Sequence, residues 1–251
     1  LAWSLEEENK IAVAVAKGYW PDTPKTFIVP FGRGQVTYTP STTFDTDMHR
    51  VTYAYAGTDS AGLVIEAGQR IAQAAAALAM DYYQRREELL IESKGPQDMV
   101  SQADQNVEKF IRAEIQTHFL EDAIHGEEFG RTGEGDYTWV IDPIDGTANF
   151  VNGIGFWCVV LALVHRGVVV GGITVDPNLG HTYVARKGHG AFLNGVRMQV
   201  SRSQSIRDGS VGVGFCNRVT TDTLLQFMKP FVEGGGMFFR NASGALMLAY
   251  V

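Results

Sequence analysis

Asp142-Pro143-Ile144-Asp145-Gly146-Thr147 sets two carboxylates three residues apart on a turn, directly behind the apolar run Tyr137 to Ile141. That run is rich in β-branched and aromatic residues and reads as a buried strand. Pro143 fixes φ and lacks a backbone donor, so the chain leaves the sheet there. Gly146 permits a conformation other residues resist, and Thr147 is a candidate cap for a short helix starting Ala148-Asn149-Phe150. Strand, turn and helix start together aim two anionic side chains and a free carbonyl at one spot. Hard divalent cations such as Mg²⁺ take oxygen ligands of this kind, and a phosphate suits the helix end. Taken alone, Asp-Pro and Asp-Gly pairs also make ordinary surface bends.

Upstream, Ala123-Ile124-His125 leads as a strand into Gly126-Glu127-Glu128, with Glu127 fifteen residues before Asp142. Adjacent glutamates by themselves read first as a solvated pair. Neighbouring strands ending at one edge bring Glu127 beside Asp142, and three carboxylates there are costly unless cations share them. Downstream, Phe156 to Val164 and Val168 to Val175 predict a hairpin around His165-Arg166-Gly167. Thr182 to Ala185, Ala191-Phe192 and Val196 to Val200 continue the sheet, with Asn194-Gly195 as a tight turn. Val211 to Phe215 starts a second layer, followed by a helix Asp222 to Val232, a strand Met237 to Arg240 and a final helix.

Two helices precede these strands. Asp59 or Ser60 caps a long one carrying Leu63, Ala67, Ile71, Ala74, Leu78 and Tyr82 on one face and ending near Glu92. Asp104 or Gln105 opens the next, with Val107, Phe110, Ile111 and Ile115 inward. Helices, then a largely antiparallel sheet, then α/β alternation predict a layered α+β protein. Residues 1–56 stand apart: Pro21, Pro24, Pro30 and Pro40 punctuate them, and Lys25 to Val29 and Gln35 to Tyr38 are candidate strands. No chemistry attaches to this extension, and Gly32-Arg33-Gly34 is too short for a phosphate loop.

The 251 residues suffice for one large or two modest domains. We divide them into the unassigned extension 1–56, an α+β metal-binding domain 57–201 and an α/β domain 202–251 that is expected to be truncated. A net charge of −7 without a Lys/Arg cluster argues against a nucleic-acid surface. Cys158 and Cys216 lie in apolar runs, which predicts buried free thiols in a reducing, cytoplasmic compartment. The longest apolar stretch, Phe156 to Val164, is too short for a bilayer, and no signal peptide is visible. The leucine at the start and Val251 within a helical pattern suggest a cut chain.

Trp139 to Phe150 closely resembles the W-x-[IV]-D-P-[IL]-D-G-T-x-N-F signature of the inositol monophosphatase family of Mg²⁺-dependent, lithium-sensitive phosphomonoesterases. Further matches follow. Gly126-Glu127-Glu128 resembles the strand-end G-E-E, and Lys94 to Asp104 the family's lysine loop with V-T-x-x-D. Asp176-Pro177 resembles the D-P after the hairpin, and Gly188 to Gly195 the G-x-G-A-x-x-N-G segment. Arg240 with Ser243-Gly244-Ala245 resembles R-x-x-G-[ST]-A. The resemblance spans about residues 58–251 and implies a layered α/β/α/β sandwich of the sugar-phosphatase type with its last layer incomplete.

It also implies roles. Glu127, Asp142 and the Ile144 carbonyl would hold a first Mg²⁺, with Asp142 and Asp145 contributing to a second among two or three ions. Glu127 with the Thr147 hydroxyl would orient and deprotonate an activated water, and Asp104 would hydrogen-bond that hydroxyl. The Gly146 and Thr147 amides would receive phosphate oxygens, with Asp145 and Ala245 near the substrate. Lys94 would sit near a third, looser ion or the phosphate, on a mobile loop. Attack would be direct, without a phosphoenzyme. The partner would be a small phosphate ester such as myo-inositol 1-phosphate, and family members are commonly homodimers. Sister families with the same hexapeptide take fructose 1,6-bisphosphate, 3′-phosphoadenosine 5′-phosphate or histidinol phosphate; a non-catalytic regulatory homologue is the alternative of another class. The family continues to W-D-x-A-A-G, which this chain lacks. The expectation is therefore C-terminal truncation with weak or no activity in this polypeptide.

Overall fold

The computed structural model describes residues 25–29, 34–38, 52–54, 60–89, 91–95, 98–214 and 220–250. The chain falls into two compact units, residues 1–67 and 68–251. In the first, β1 (Lys25–Val29), β2 (Gly34–Tyr38) and β3 (Thr52–Ala54) form an antiparallel sheet in that order. Lys25 pairs with Tyr38, and Gln35 with Ala54.

The second unit is organised by an eight-stranded sheet. Its strands are β6 (Ala123–Gly126), β7 (Gly130–Thr132), β8 (Tyr137–Asp145), β9 (Cys158–His165), β10 (Val168–Asp176), β11 (His181–Arg186), β12 (Gly190–Leu193) and β13 (Val196–Arg197). They lie in the order β13-β12-β11-β10-β9-β8-β6-β7, antiparallel except where β6 runs parallel to β8. Two-residue turns make the long hairpins possible. Arg166 and Gly167 have φ 48° and 80°, as do Asn194 and Gly195, the left-handed pair a twisted hairpin needs. The strand expected over Val196 to Val200 stops at Arg197.

Two helices form the neighbouring layer, α1 (Ser60–Gln84) and α2 (Gln102–His118). Between them β4 (Ile91–Gly95) and β5 (Asp98–Ser101) make a small hairpin. The expectation that α1 reaches Glu92 is thus corrected. At Arg85 the amide bonds back three residues to the Tyr82 carbonyl at 3.1 Å, a tighter turn follows over Arg86–Glu88, and Ile91 already belongs to a strand.

The buried face of α1 is also displaced. Gly68, Ile71, Ala72, Ala75, Ala76 and Ala79 are buried, whereas Ala74 is exposed and Ala67, Leu78 and Tyr82 are half-buried. Leu63 has no described side chain. The reason lies in the sheet. A Cβ on Gly68 would come within 2.6 Å of the Trp139 ring and 3.0 Å of Ile173, so small residues set the approach of α1 to β8 and β10. Trp139 is fully buried, stacks obliquely on Phe119 and donates its indole N–H to Asp122 at 2.9 Å. Along α2, Val107, Ile111 and Ile115 are buried as expected, and Phe110 is half-buried.

A smaller α/β layer completes the unit. β14 (Ser210–Gly212) and β15 (Met237–Phe239) pair in parallel around α4 (Thr221–Glu233), and α5 (Gly244–Ala249) follows. The chain between β8 and β9 forms α3 (Thr147–Val151), fixed by the mutual ring contacts of Tyr83, Phe150 and Trp157 at 4.8–5.4 Å. Cys158 is buried as a free thiol; Cys216 lies outside the described residues.

Candidate active site

The carboxylates converge because of register. β6 and β8 run parallel with Gly126 opposite Ile141, so the next residues, Glu127 and Asp142, emerge side by side at one sheet edge. The ladder from β8 to β9 then slips: Asp142 pairs with Val160 but Asp145 with Cys158, one extra residue on β8. Pro143 lies within this bulge and has no N–H to give the ladder. The bulge turns Ile144 inward and leaves Asp142 and Asp145 half-buried at the edge.

Gly146 is the N-cap of α3, with φ 101°. A Cβ there would meet the Phe156 carbonyl oxygen at 2.8 Å, so only glycine lets the chain turn under β9. Thr147 is therefore the first helical residue rather than the cap anticipated from sequence. Its hydroxyl lies 2.9 Å from Asp104 Oδ1 and 3.0 Å from the Ile144 carbonyl oxygen, and both accept from it. Asn149 anchors the other side of α3, donating to the Phe156 and Asn241 carbonyls at 2.7 and 2.6 Å.

Asp104 is fully enclosed. Its Oδ2 accepts the Ser101 amide at 2.8 Å and the Ser101 hydroxyl at 2.6 Å, which makes Ser101 the N-cap of α2 and Asp104 its third helical residue. The helix thus opens at Gln102, earlier than sequence suggested. Burial raises the Asp104 pKa, opposed by the bonds from Ser101 and Thr147.

Asp142 is the electrostatic centre. Burial, then the charges of Glu127 and Asp145, push its pKa up to about 9. Its Oδ1 is buried and has no hydrogen-bond partner. Asp145, by contrast, is engaged: Oδ2 accepts the Ser243 hydroxyl and the Ala245 amide (2.8 Å), and Oδ1 accepts the Gly244 amide at 3.3 Å. Ala245 hence touches the site through its amide. The Cys158 thiol lies 3.7 Å from Asp145, and burial pushes its pKa far up, so it is no nucleophile. Lys94 stands on β4 beside a register irregularity, in a strand rather than a loop; its side chain lies outside the described residues.

The residues fit a hard cation at Asp142, since an orphaned buried carboxylate oxygen beside a second carboxylate calls for positive charge. Among the described residues no three acidic, imidazole or thiol side chains are grouped as a ready-made cage. Asp145 is turned toward α5, and Glu127 is exposed beside Asp142.

The match with known proteins covers most of this unit. A family model described as the inositol monophosphatase family matches residues 62–251. The chain belongs to the inositol monophosphatase family. It is 36% identical over 190 residues to an inositol-1-monophosphatase of Rhizobium meliloti, covering 73% of this chain and 70% of that protein. A histidinol-phosphatase of Chlorobaculum parvum is 41% identical over 132 residues, 52% of this chain and 51% of that one. The extragenic suppressor protein suhB of Bartonella henselae superposes with a TM-score of 0.72 at 30% identity, covering 75% of this chain and 74% of its own. The chain is accordingly a phosphomonoester hydrolase of this family, with its layered α+β fold.

Sequence reasoning missed three contributors. Ser101 was passed over beside Asp104, although Ser followed three residues later by an acid is a capping signal. Ser243 was part of a matched segment but carried no role. Glu108 went unnoticed, although it repeats Asp104 one helical turn on.

Proposed function

We propose that this chain hydrolyses a small phosphate monoester with Mg²⁺, myo-inositol 1-phosphate foremost. The observation that carries the reading is the unpartnered, buried Asp142 Oδ1 beside Glu127, next to a threonine hydroxyl already held by Asp104. Glu127, Asp142, Asp145 and the Ile144 carbonyl would hold the cation, across two or three ions. When bound, Mg²⁺ supplies positive charge for the phosphate and lowers the pKa of a nearby water.

The chain's own residues do the rest. Glu127 is exposed and takes the proton of the attacking water. Asp104 fixes the Thr147 hydroxyl, which is thereby aimed from the start of α3 and relays that proton from the water to Glu127; from there it passes to the leaving alkoxide oxygen as the P–O bond breaks. The leading amides of α3, Gly146 and Thr147, receive phosphate oxygens. Asp145, tied to the Ala245 amide, borders the substrate, and Lys94 adds positive charge from the β4–β5 hairpin. Direct displacement follows from the family resemblance, and the buried Cys158 thiol is inert. No helix among the described residues is long and apolar enough to cross a membrane. On the family resemblance alone, we propose a cytoplasmic location and the homodimer common in the family.

The likeness to a histidinol-phosphatase supports a second reading, in which the ester is histidinol phosphate. The test is calorimetric Mg²⁺ titration of the chain and of Asp142→Asn, with phosphate release from inositol 1-phosphate, histidinol phosphate and fructose 1,6-bisphosphate, with and without lithium. The reading expects Mg²⁺ uptake that the substitution removes, and release that lithium inhibits. No uptake by the unaltered chain refutes it; uptake without release from any ester favours a regulatory homologue or the weak activity expected of this polypeptide.

A further inference from the structure

The buried polar stripe of α2 does not end at Asp104. Glu108 and Arg112 follow at successive intervals of four, both buried on the flank of the apolar face of Val107, Ile111 and Ile115. Arg112 Nε donates to Glu108 Oε1 at 2.7 Å, and its terminal nitrogens reach the Thr132 hydroxyl (2.9 Å) and the Gly130 carbonyl. Glu108 turns its remaining capacity on the strand end beside it. Oε2 accepts the Glu128 amide at 2.7 Å and Oε1 the Phe129 amide at 3.3 Å. A Cβ on Gly126 would fall 1.9 Å from Glu108 Oε1, so the carboxylate lies directly on the backbone at this point. Gly126 below and Glu128 above are thereby fixed against one group, and the residue between them is Glu127.

We infer that Glu108 is a positioning residue: its ion-paired carboxylate clamps the backbone around Glu127 and so aims the Glu127 side chain at the cation beside Asp142. A single helix then sets both walls of the site, Asp104 holding the Thr147 hydroxyl and Glu108, one turn further on, holding the Glu127 turn. A freely hinged turn would let the exposed Glu127 swing away from Asp142. A buried salt bridge adds little net stability, but it holds its neighbours in one arrangement at a cost in desolvation. The inference rests on the proposed cation site.

The test compares Glu108→Gln, which keeps the shape and removes the charge, with Glu114→Gln on the same helix, where Glu114 faces solvent and His118. Mg²⁺ affinity should fall about tenfold in Glu108→Gln, as for other residues that orient ligands, and stay unchanged in Glu114→Gln. Hydrogen exchange at the Glu128 and Phe129 amides should quicken in parallel. In a Glu127→Gln background, Glu108→Gln should lower Mg²⁺ affinity no further, an outcome that general loosening of the fold would not give. If Glu108→Gln does not fold, Glu108→Asp, which keeps the charge but shortens the reach, serves in the same comparisons. Unchanged Mg²⁺ affinity with faster exchange of the two amides overturns the inference, as does an equal loss in the Glu127→Gln background. Absence of Mg²⁺ uptake by the unaltered chain is a separate result, which defeats the cation site and the inference together.

Discussion

Replacing Asp142 with asparagine should stabilise the cation-free protein at neutral pH. Burial and the charges of Glu127 and Asp145 carry the Asp142 pKa from its usual 3.8 to about 9. A carboxyl whose folded pKa is raised favours the fold while protonated and costs stability once ionised. The loss therefore begins as pH rises past 3.8 and continues toward about 9. At pH 7 about three units of that shift act, at ~1.4 kcal/mol each, which bounds the cost near ~4 kcal/mol. Partial access of solvent reduces this to ~2 kcal/mol. Asparagine has the same shape and no charge, so it recovers that amount. For a chain of this size ~2 kcal/mol corresponds to roughly 4–8 °C in Tm. Calorimetric melting in chelator from pH 4 to 9 should show the gain at pH 7 and its disappearance near pH 4. Excess Mg²⁺ should raise the Tm of the parent more than that of the variant. A variant less stable than the parent at pH 7 in chelator, or a difference that ignores pH, would refute the electrostatic account.

Gly146→Ala places a Cβ 2.8 Å from the Phe156 carbonyl at φ 101°, and should cost ~2–3 kcal/mol in denaturant unfolding while weakening phosphate binding at the start of α3. Thr147→Val should behave oppositely: stability falls by only ~1 kcal/mol, since Asp104 keeps its Ser101 donors, whereas phosphate release falls about a hundredfold or more. Gly68→Ala should cost ~1–3 kcal/mol in urea unfolding by forcing α1 off the Trp139 ring at 2.6 Å, and leave Mg²⁺ affinity unchanged.

What was legible in the sequence had local causes. The alternation of β9 and β10, the left-handed Arg166-Gly167 and Asn194-Gly195 turns, and the bend at Pro143 each follow from residues within a few positions of one another. The approach of Glu127 to Asp142 needed one further assumption, that β6 and β8 end at the same edge, and their parallel register supplies it. What was not legible depends on residues far apart in the chain. The face that α1 buries is set by Trp139, whose ring lies where a side chain on Gly68 would be. The partner of Asp145 is Ser243, 98 residues away, and no periodicity points to it. Glu108 had a visible sign, an acid and then an arginine at intervals of four beside an apolar stripe. On an exposed helix the same spacing is an ordinary surface ion pair.

The acids of this unit differ in what they still lack, and that difference locates the demand for charge. Asp104 receives three donors, Glu108 an arginine and two amides, and Asp145 a hydroxyl and two amides. Each is an anion with its solvation replaced by protein dipoles. Asp176 keeps one oxygen unpartnered, yet its other oxygen takes the Asn178 and Leu179 amides. Among the described residues, Asp142 alone combines an orphaned oxygen with the charges of Glu127 and Asp145 against it. A second hydrogen-bond donor could quiet the oxygen but not the repulsion; a divalent cation relieves both at once. The same environment that weakens the cation-free fold is therefore what would make the edge of β8 take up Mg²⁺.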